Sequence, residues 1–466
     1  MDENKSLQEL EDLLEDLYPE QCNQVIESVN NCFVGHKVIQ VDDPDWYKKL
    51  QIYVTYPDTF GVNGQKDLST LAQRLPYIKE LGCNCIHILP FLSSPMVDLG
   101  FDVSDYYMVR EVLGGNLALV NLLGEMHREG ISVIMDIVLN HVCQEHGWFL
   151  QAQSGDAFYR DFFVTSRKKP KLTDRFTDDR GLWARYDTGQ KEVDIRIIFP
   201  EQTGELPHWR QGEDGVWYYH TFYPHQLDLD WNNYHVFVSM AKVLIYWAKK
   251  GVSFRLDAIP FVGKSIKKGE TETTDRTHQI VQALNLVVKR IREESVFLVE
   301  ANQPTEIVKK YFGGTGVVES ELAYNFPLMN ALWVSVLTYD TQPLWECLLN
   351  EELVPNHAAW VTFLRNHDEL SLEFVDADTR KLIVEKLQSR GLMFREGFGV
   401  SGRTASFLRE NTDRVVAVHL LLASLPGNPA IVYGDELGKL NDVSFMKQQT
   451  EWKQKRFGDA GIADDT

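Results

Sequence analysis

Four segments of this 466-residue sequence run an apolar stretch straight into charged or imidazole side chains. They are Asp136-Ile137-Val138-Leu139-Asn140-His141, Phe254-Arg255-Leu256-Asp257-Ala258, Phe297-Leu298-Val299-Glu300-Ala301-Asn302 and Phe363-Leu364-Arg365-Asn366-His367-Asp368. Any one of them alone reads as a surface ion pair or a helix cap just past a strand. Together they supply three carboxylates, Asp257, Glu300 and Asp368, from three different strand ends. One carboxylate as nucleophile and one carboxylic acid to protonate a leaving oxygen are what retaining cleavage of a glycosidic bond needs. Asp257 suits the nucleophile. Arg255 lies two residues before it, the period of a strand puts both on one face, and a guanidinium there would hold the carboxyl ionised. Glu300 follows an apolar run and has no cation adjacent in sequence, a setting that raises a carboxyl pKa and suits an acid. Asp368 would sit beneath the oxocarbenium-like transition state, with His141 and His367 donating to sugar hydroxyls.

Residues so far apart in sequence meet only if their strands surround one mouth. Barrels of alternating strands and helices do this, with the site at the C-terminal strand ends. Strand candidates fall at Gln51–Tyr56, Cys83–Pro90, Ile131–Leu139, Val252–Ala258, Val296–Glu300, Glu321–Phe326, Trp360–Asn366 and Ala430–Gly434. Helical patterns at Leu68–Leu81, Leu117–Glu129, His235–Lys250 and Thr277–Glu294 alternate with them. Eight strands in this rhythm predict an α/β (β/α)₈ barrel, residues 46–141 forming its first part and 233–466 the rest. Residues 142–232 show no sustained period and predict an inserted subdomain. Residues 1–45 predict a helical N-terminal extension, with Leu7, Leu10, Leu13, Leu14 and Leu17 at helical spacing, either a packing appendage or a partner-binding helix. The chain ends soon after the eighth strand candidate, which suggests that a C-terminal β domain is absent or truncated.

The formal charge of −20 argues against nucleic acid and anionic membranes as partners. No apolar run reaches transmembrane length, and the acidic N-terminus has no secretory pattern, which points to the cytoplasm. Six cysteines in so long a chain are no disulfide framework; Cys83 and Cys85, alternating along a strand candidate, read as small buried hydrophobes. No phosphate-cradling glycine loop or cofactor motif is present, and the chemistry needs no cofactor. Nothing in the sequence speaks to oligomeric state.

The four segments resemble, in order and wording, the four signature regions of the α-amylase family of glycoside hydrolases, and the resemblance runs from about residue 45 onward. It implies the barrel, with residues 142–232 as the family's domain B after the third strand. It implies Asp257 as nucleophile, Glu300 as acid/base and Asp368 as transition-state stabiliser. Arg255, His141 and His367 fall on sugar-contacting positions, Asn140 on a position that braces the site or binds calcium in some members, and Asp136 on a supporting one. Gly100-Phe101-Asp102-Val103-Ser104-Asp105-Tyr106 is similar to the segment whose aspartate and tyrosine line the terminal-glucose subsite, which implies Asp102 and Tyr106 as substrate contacts.

Gln226-Leu227-Asp228-Leu229-Asp230 resembles the extra signature of the oligo-1,6-glucosidase branch, departing at Leu227 and Asp230. Glu300–Gln303, Phe363–Glu373 and Tyr433–Gly438 are similar to trehalose synthases, which interconvert maltose and trehalose. Ala258 after the nucleophile implies α-1,4 or α-1,1 rather than α-1,6 specificity. Tyr53–Phe60 is more similar to sucrose-acting members. The loop Gly61–Lys66 offers few oxygens where relatives bind calcium, so no metal is expected. An arginine that relatives place after the eighth strand, opposite the Asp102 position, has no match. The alternatives are a sucrose-acting glucosyltransferase and a barrel that binds sugar without turning it over, though none of the catalytic carboxylates is lost.

Overall fold

The computed structural model describes residues 3–40, 43–60, 65–199, 206–314, 316–350, 354–444 and 447–448. Gly61–Gly64 of the loop expected not to bind metal, and the end of the chain from 449 onward, lie outside the described residues.

Eight parallel strands close on themselves: β1 (Ile52–Thr55), β2 (Cys85–Ile88), β3 (Ser132–Val138), β4 (Ser253–Asp257), β5 (Phe297–Val299), β6 (Leu322–Tyr324), β7 (Ala359–Phe363) and β8 (Asn428–Val432). Ile52 is in register with Cys85 on one side and Ala430 on the other, and this double pairing of β1 seals the barrel. The strands are mostly apolar because both faces are covered, with His87, Asp136, Arg255 and Asp257 among the polar and charged exceptions. Tyr53, Ile86, Val133, Met135, Phe254, Leu256, Phe297 and Val299 face the helices. Ile52, Val54, Cys85, Ile134, Leu298, Leu322, Val361 and Ala430 belong to a second core. Cys83 precedes β2 and packs in the first core while Cys85 packs in the second, so the two buried thiols do not share a face.

The N-terminal helices α1 (Glu3–Leu17) and α2 (Cys22–Phe33) lie against the barrel's own helices. Leu10, Leu14 and Leu17 are buried together with Tyr18, Val25 and Val29. The Tyr18 hydroxyl donates to the Trp231 carbonyl at 3.0 Å, and Arg276 donates to the Leu17 and Trp231 carbonyls at 2.9 Å. The helix expected over Leu68–Leu81 is two: α3 (Leu68–Ala72), capped by Asp67, and α4 (Leu75–Glu80). Pro76 is the cause. It has no N–H, and its ring would strike the carbonyl of Ala72 four residues earlier, where α3 stops.

The aperiodic stretch between β3 and β4 folds as short antiparallel strands. Lys171–Asp178, Gly181–Asp187 and Glu192–Arg196 form one sheet, and Thr165–Ser166, Trp209–Gln211 and Trp217–Tyr219 another. Its own core holds Ala184, Tyr186, Val193, Ile195, Trp209 and Tyr219. Antiparallel strands of two to eight residues leave too little regular pattern for a sequence window to register. His141–Cys143, just past β3, pairs with Gln226–Asp228 and ties the end of this region to its beginning.

Removing a buried methylene cluster from α1 tests whether its leucine face serves the fold. Leu14→Ala is expected to lower the unfolding free energy by about 2–5 kcal/mol in chemical denaturation. Turnover by the folded enzyme should be unchanged. A variant as stable as the parent would mean that this face does not hold the helix to the barrel.

Candidate active site

Each of the four segments ends a barrel strand. Arg255 and Asp257 close β4, Glu300 follows β5, Asn366–Asp368 follow β7, and Asn140 and His141 follow β3. His141, Asp257, Glu300, His367 and Asp368 line a single cavity at this end of the barrel, together with Tyr56 and Phe101.

Arg255 is fully buried and is the electrostatic centre of the site. Its Nη1 donates to Asp136 Oδ1 at 2.6 Å and to Asp257 Oδ1 at 2.7 Å, while Nη2 bonds Glu300 Oε1. The other oxygen of Asp136 meets His87 Nε2 at 3.0 Å, and Tyr324 Oη lies 3.2 Å from His87 Nδ1. The guanidinium lies 5.4 Å from the centre of the Phe101 ring, on which His367 stacks.

Two electrostatic expectations need correcting. Glu300 does have a cation beside it, because β4 and β5 are neighbours and Arg255 reaches across. Asp257 is not simply held ionised: burial pushes its carboxyl well up, Arg255 opposes this, and Glu300 and Asp136 add to the rise. One positive charge divided among three carboxylates cannot neutralise them all. Asp136 stays ionised: burial works against its charge, but Arg255 and His87 hold it down at about 2. Asp368 faces the cavity, yet the enclosing walls push its carboxyl up to about 7, with Glu300 contributing. The site therefore favours retaining protons on Asp257 and Asp368, whose carboxyls are both raised. His367 is driven down to about 3 by burial and by Arg255, so it stays neutral.

Asp102 and Tyr106, expected to line a terminal-sugar subsite, lie behind the wall instead. Asp102 is fully buried and accepts from Ser94 Oγ at 2.7 Å and from the Val97 amide at 2.9 Å. Its carboxylate is occupied in holding its own loop. Tyr106 turns inward and donates to the Val138 carbonyl at 2.6 Å. Asp98, Leu99 and Phe101 of this loop reach the cavity, and Asp98 accepts from Gln226 Nε2 at 2.7 Å. Among the described residues no group of three His, Cys, Asp or Glu side chains could hold a metal.

Sequence reasoning missed a second charged layer at the cavity mouth. Arg196, from the region between β3 and β4, grips Glu272 with two bonds of 2.9 Å and also bonds Glu373. Arg395 donates to Glu373 at 3.2 Å, to Glu369 at 2.8 Å and to Ser371 at 3.1 Å. Asn302 Nδ2 reaches the other oxygen of Glu373 at 3.1 Å. Glu369, Glu373 and Asn302 fall inside stretches already conspicuous by resemblance. Arg196 and Arg395 end no barrel strand and carried no signal. Arg395 has φ of +48°, a left-handed conformation that costs a non-glycine residue about 1–3 kcal/mol and recurs at functional sites.

Replacing Arg255 by Met should remove turnover and leave a buried carboxylate cluster without its cation. The expected loss of stability is about 3–5 kcal/mol. The sign with pH follows from Asp136: its depressed pKa contributes stability that is present above the ordinary carboxylate range and lost as pH falls from about 4 towards 2. The variant lacks that contribution and gains from protonation, so its deficit narrows as pH falls. Thermal unfolding of both proteins between about pH 5 and pH 2 measures this; a constant or widening gap would contradict the assignment.

Comparison with known proteins agrees with this geometry. The model of the α-amylase catalytic domain matches residues 51–394. A trehalose synthase of Thermus thermophilus is 33% identical over 430 residues, which cover 89% of this chain and 41% of that one. The trehalose synthase/amylase TreS of Mycolicibacterium smegmatis is 32% identical over 448 residues, covering 93% of this chain and 71% of its own. The chain thus spans about two fifths of the Thermus protein. Among solved structures, a sucrose 6F-phosphate phosphorylase from Thermoanaerobacter thermosaccharolyticum superposes with a TM-score of 0.68 at 21% identity, covering 88% of this chain and 81% of that one, a likeness of fold. The chain belongs to the α-amylase family.

Proposed function

We propose that this chain acts on α-glucosidic bonds of small neutral sugars, of the maltose or trehalose type, by double displacement through a glucosyl–enzyme on Asp257. The observation that carries the reading is the grip of one guanidinium, Arg255, on both Asp257 and Glu300. Two carboxyls held by the two terminal nitrogens of a single guanidinium are close together, and a close spacing of about 5–5.5 Å is what double displacement requires.

In the first step an Asp257 oxygen forms a bond to the anomeric carbon while that carbon's bond to the glycosidic oxygen breaks. Glu300 delivers a proton to the departing oxygen, drawing on the protons the cluster retains. Asp368 faces the positive charge that develops on the ring, and His141 and His367 donate to its hydroxyls. In the second step water or a sugar hydroxyl attacks the same carbon, Asp257 leaves, and Glu300 recovers the proton. Asp136 and Asn140 support the site from below. Residues 142–232 act as domain B: Arg196, Phe199, Phe222 and Tyr223 from this region line the cavity. Aromatic walls suit sugar faces and limit the access of water to the intermediate.

The trehalose synthase likeness favours transfer between maltose and trehalose over hydrolysis. Six free cysteines fit a reducing, cytoplasmic setting. Among the described residues no helix is long and apolar enough to cross a membrane.

Maltose, trehalose and sucrose are incubated separately with the protein, with Asp257→Ala as the blank, and products are resolved by NMR. Trehalose from maltose with little free glucose is the expected result. Glucose alone would make the protein a hydrolase, turnover of sucrose alone would move it to the sucrose-acting members, and binding without turnover would leave a sugar-binding barrel.

The cavity also bears on charge. Asp98, Asp257, Glu300, Asp368, Glu369 and Glu373 line it, and Arg196 and Arg395 are both already paired with carboxylates. A dianionic phosphate on the sugar would meet repulsion with no unpaired cation among the described residues lining the cavity. Trehalose 6-phosphate should therefore be processed at least about tenfold less efficiently than trehalose, a difference of roughly 1.4 kcal/mol in kcat/KM. Equal efficiencies would contradict this reading of the cavity.

A further inference from the structure

Behind the cavity wall stands a buried lysine that the mechanism does not use. Lys264 follows β4 and is almost wholly enclosed. Its Nζ donates to Asn140 Oδ1 at 2.6 Å and pairs with Asp228 Oδ2 at 2.8 Å. Asp228 is itself fixed by the Thr221 amide at 3.0 Å and the Thr221 hydroxyl at 2.5 Å. On its other side Asn140 brings Nδ2 to within 3.3 Å of His141 Nδ1.

The donor and acceptor inventory turns this chain of contacts into a logical one. An ammonium has protons to give and no lone pair to accept with. The Asn140 atom facing Lys264 must therefore be the carbonyl oxygen, and the atom facing His141 must be the amide nitrogen, which can only donate. His141 Nδ1 then has to accept, and a neutral imidazole that accepts at Nδ1 carries its proton on Nε2. Burial drives the His141 pKa down to about 4, so the ring is neutral near pH 7. His141 Nε2 is buried without a well-aligned partner in a residue that lines the cavity, and the one backbone group the ring meets, the Phe101 carbonyl, can only accept, which also calls for a ring N–H.

We propose that Lys264 is a positioning residue that fixes the tautomer of His141 through Asn140, so that an Nε2–H donor faces a sugar hydroxyl. The catalytic part of this inference rests on the reading of the cavity as a sugar site; the tautomer itself does not. Without Lys264 the Asn140 amide is free to turn over. Its oxygen would then face the ring, pull the proton to Nδ1, and present the substrate with a lone pair where a donor is needed. Asp228 serves the same device by holding the ammonium in place.

The test is ¹⁵N NMR of histidine-labelled protein without sugar, with His141 assigned by the signals lost in His141→Gln. The expected result is a neutral His141 protonated at Nε2 in the parent protein. In Lys264→Met the tautomer should shift towards Nδ1–H, and kcat/KM should fall about tenfold, the loss of one hydrogen bond to the sugar. Because that change strands the Asp228 carboxylate in the interior, Lys264→Met/Asp228→Asn is measured beside it, the isosteric amide keeping the fold. Lys264→Arg, which still offers only donors, should retain Nε2–H in folded protein. An Nδ1-protonated His141 in the parent, or an unchanged Nε2–H signal in the folded variants lacking Lys264, would overturn the proposal even if the enzyme turns over sugars. An Nε2–H that shifts as expected with no sugar turnover in the parent would leave the relay standing and refute the functional reading instead.

Discussion

The structure depends on a cation in the middle of a barrel. A guanidinium with no exposed surface is costly to place there, and only close, well-directed carboxylates offset the cost. Arg255 finds them on both neighbouring strands: Asp136 on β3, Glu300 just beyond β5, and Asp257 two residues along its own strand. The pairing of Arg255 with Asp136 and with Leu298 in the sheet register sets these distances. A slip of one residue would turn the guanidinium out of the barrel and into the apolar layer under the helices. The same interaction that organises three strands thus brings Asp257 and Glu300 together, and the site and the centre of the barrel are one network. His87 and Tyr324 extend it across the interior, where the layer below is Ile52, Cys85, Ile134 and Leu298.

A second network, higher up, closes the mouth. Arg196, Arg395, Glu272, Glu373 and Asn302 come from four separate connections after strands, and their bonds join segments up to 177 residues apart. Because these guanidiniums are satisfied by carboxylates, the mouth is rigid and acidic. Among the described residues lining it, both guanidiniums are already paired with carboxylates. Positive φ at Arg395 and at Ala258, directly after Asp257, places backbone strain beside both networks. Such strain persists only where surrounding contacts over-determine the conformation.

The barrel was legible because its strands are short apolar runs covered on both faces, and the site because barrel topology gathers strand ends. The period of a strand was enough to place Arg255 and Asp257 on one face. Reasoning along the chain failed wherever the deciding neighbour was lateral. Glu300 read as lacking a cation because its cation is 45 residues away in sequence and one strand away in space. The same packing puts Glu300 beside Asp257, where its charge adds to the burial that raises the Asp257 carboxyl. The break at Pro76 was readable and was overridden by the apolar period around it. Arg196 and Arg395 had no signature at all, since nothing in their local pattern says which wall they face.

The loop before the third strand shows how a residue can match a pattern and yet be buried behind the cavity wall. Asp102 is anchored to Ser94 and Val97, and Ser94 in turn accepts from the Met96 amide at 2.8 Å. Those bonds hold a turn in which Met96 and Leu99 both adopt positive φ, +62° and +44°. Left-handed backbone costs a residue with a branched or long side chain roughly 1–2 kcal/mol. The turn gains two things in exchange: Asp98 reaches the cavity, and Phe101 slides beneath the Arg255 guanidinium and against His367. A buried aspartate satisfied by its own loop is therefore what presents the cavity with a carboxylate and an aromatic floor. Asp102 acts on the site through backbone geometry, one layer behind the surface that a sugar would touch.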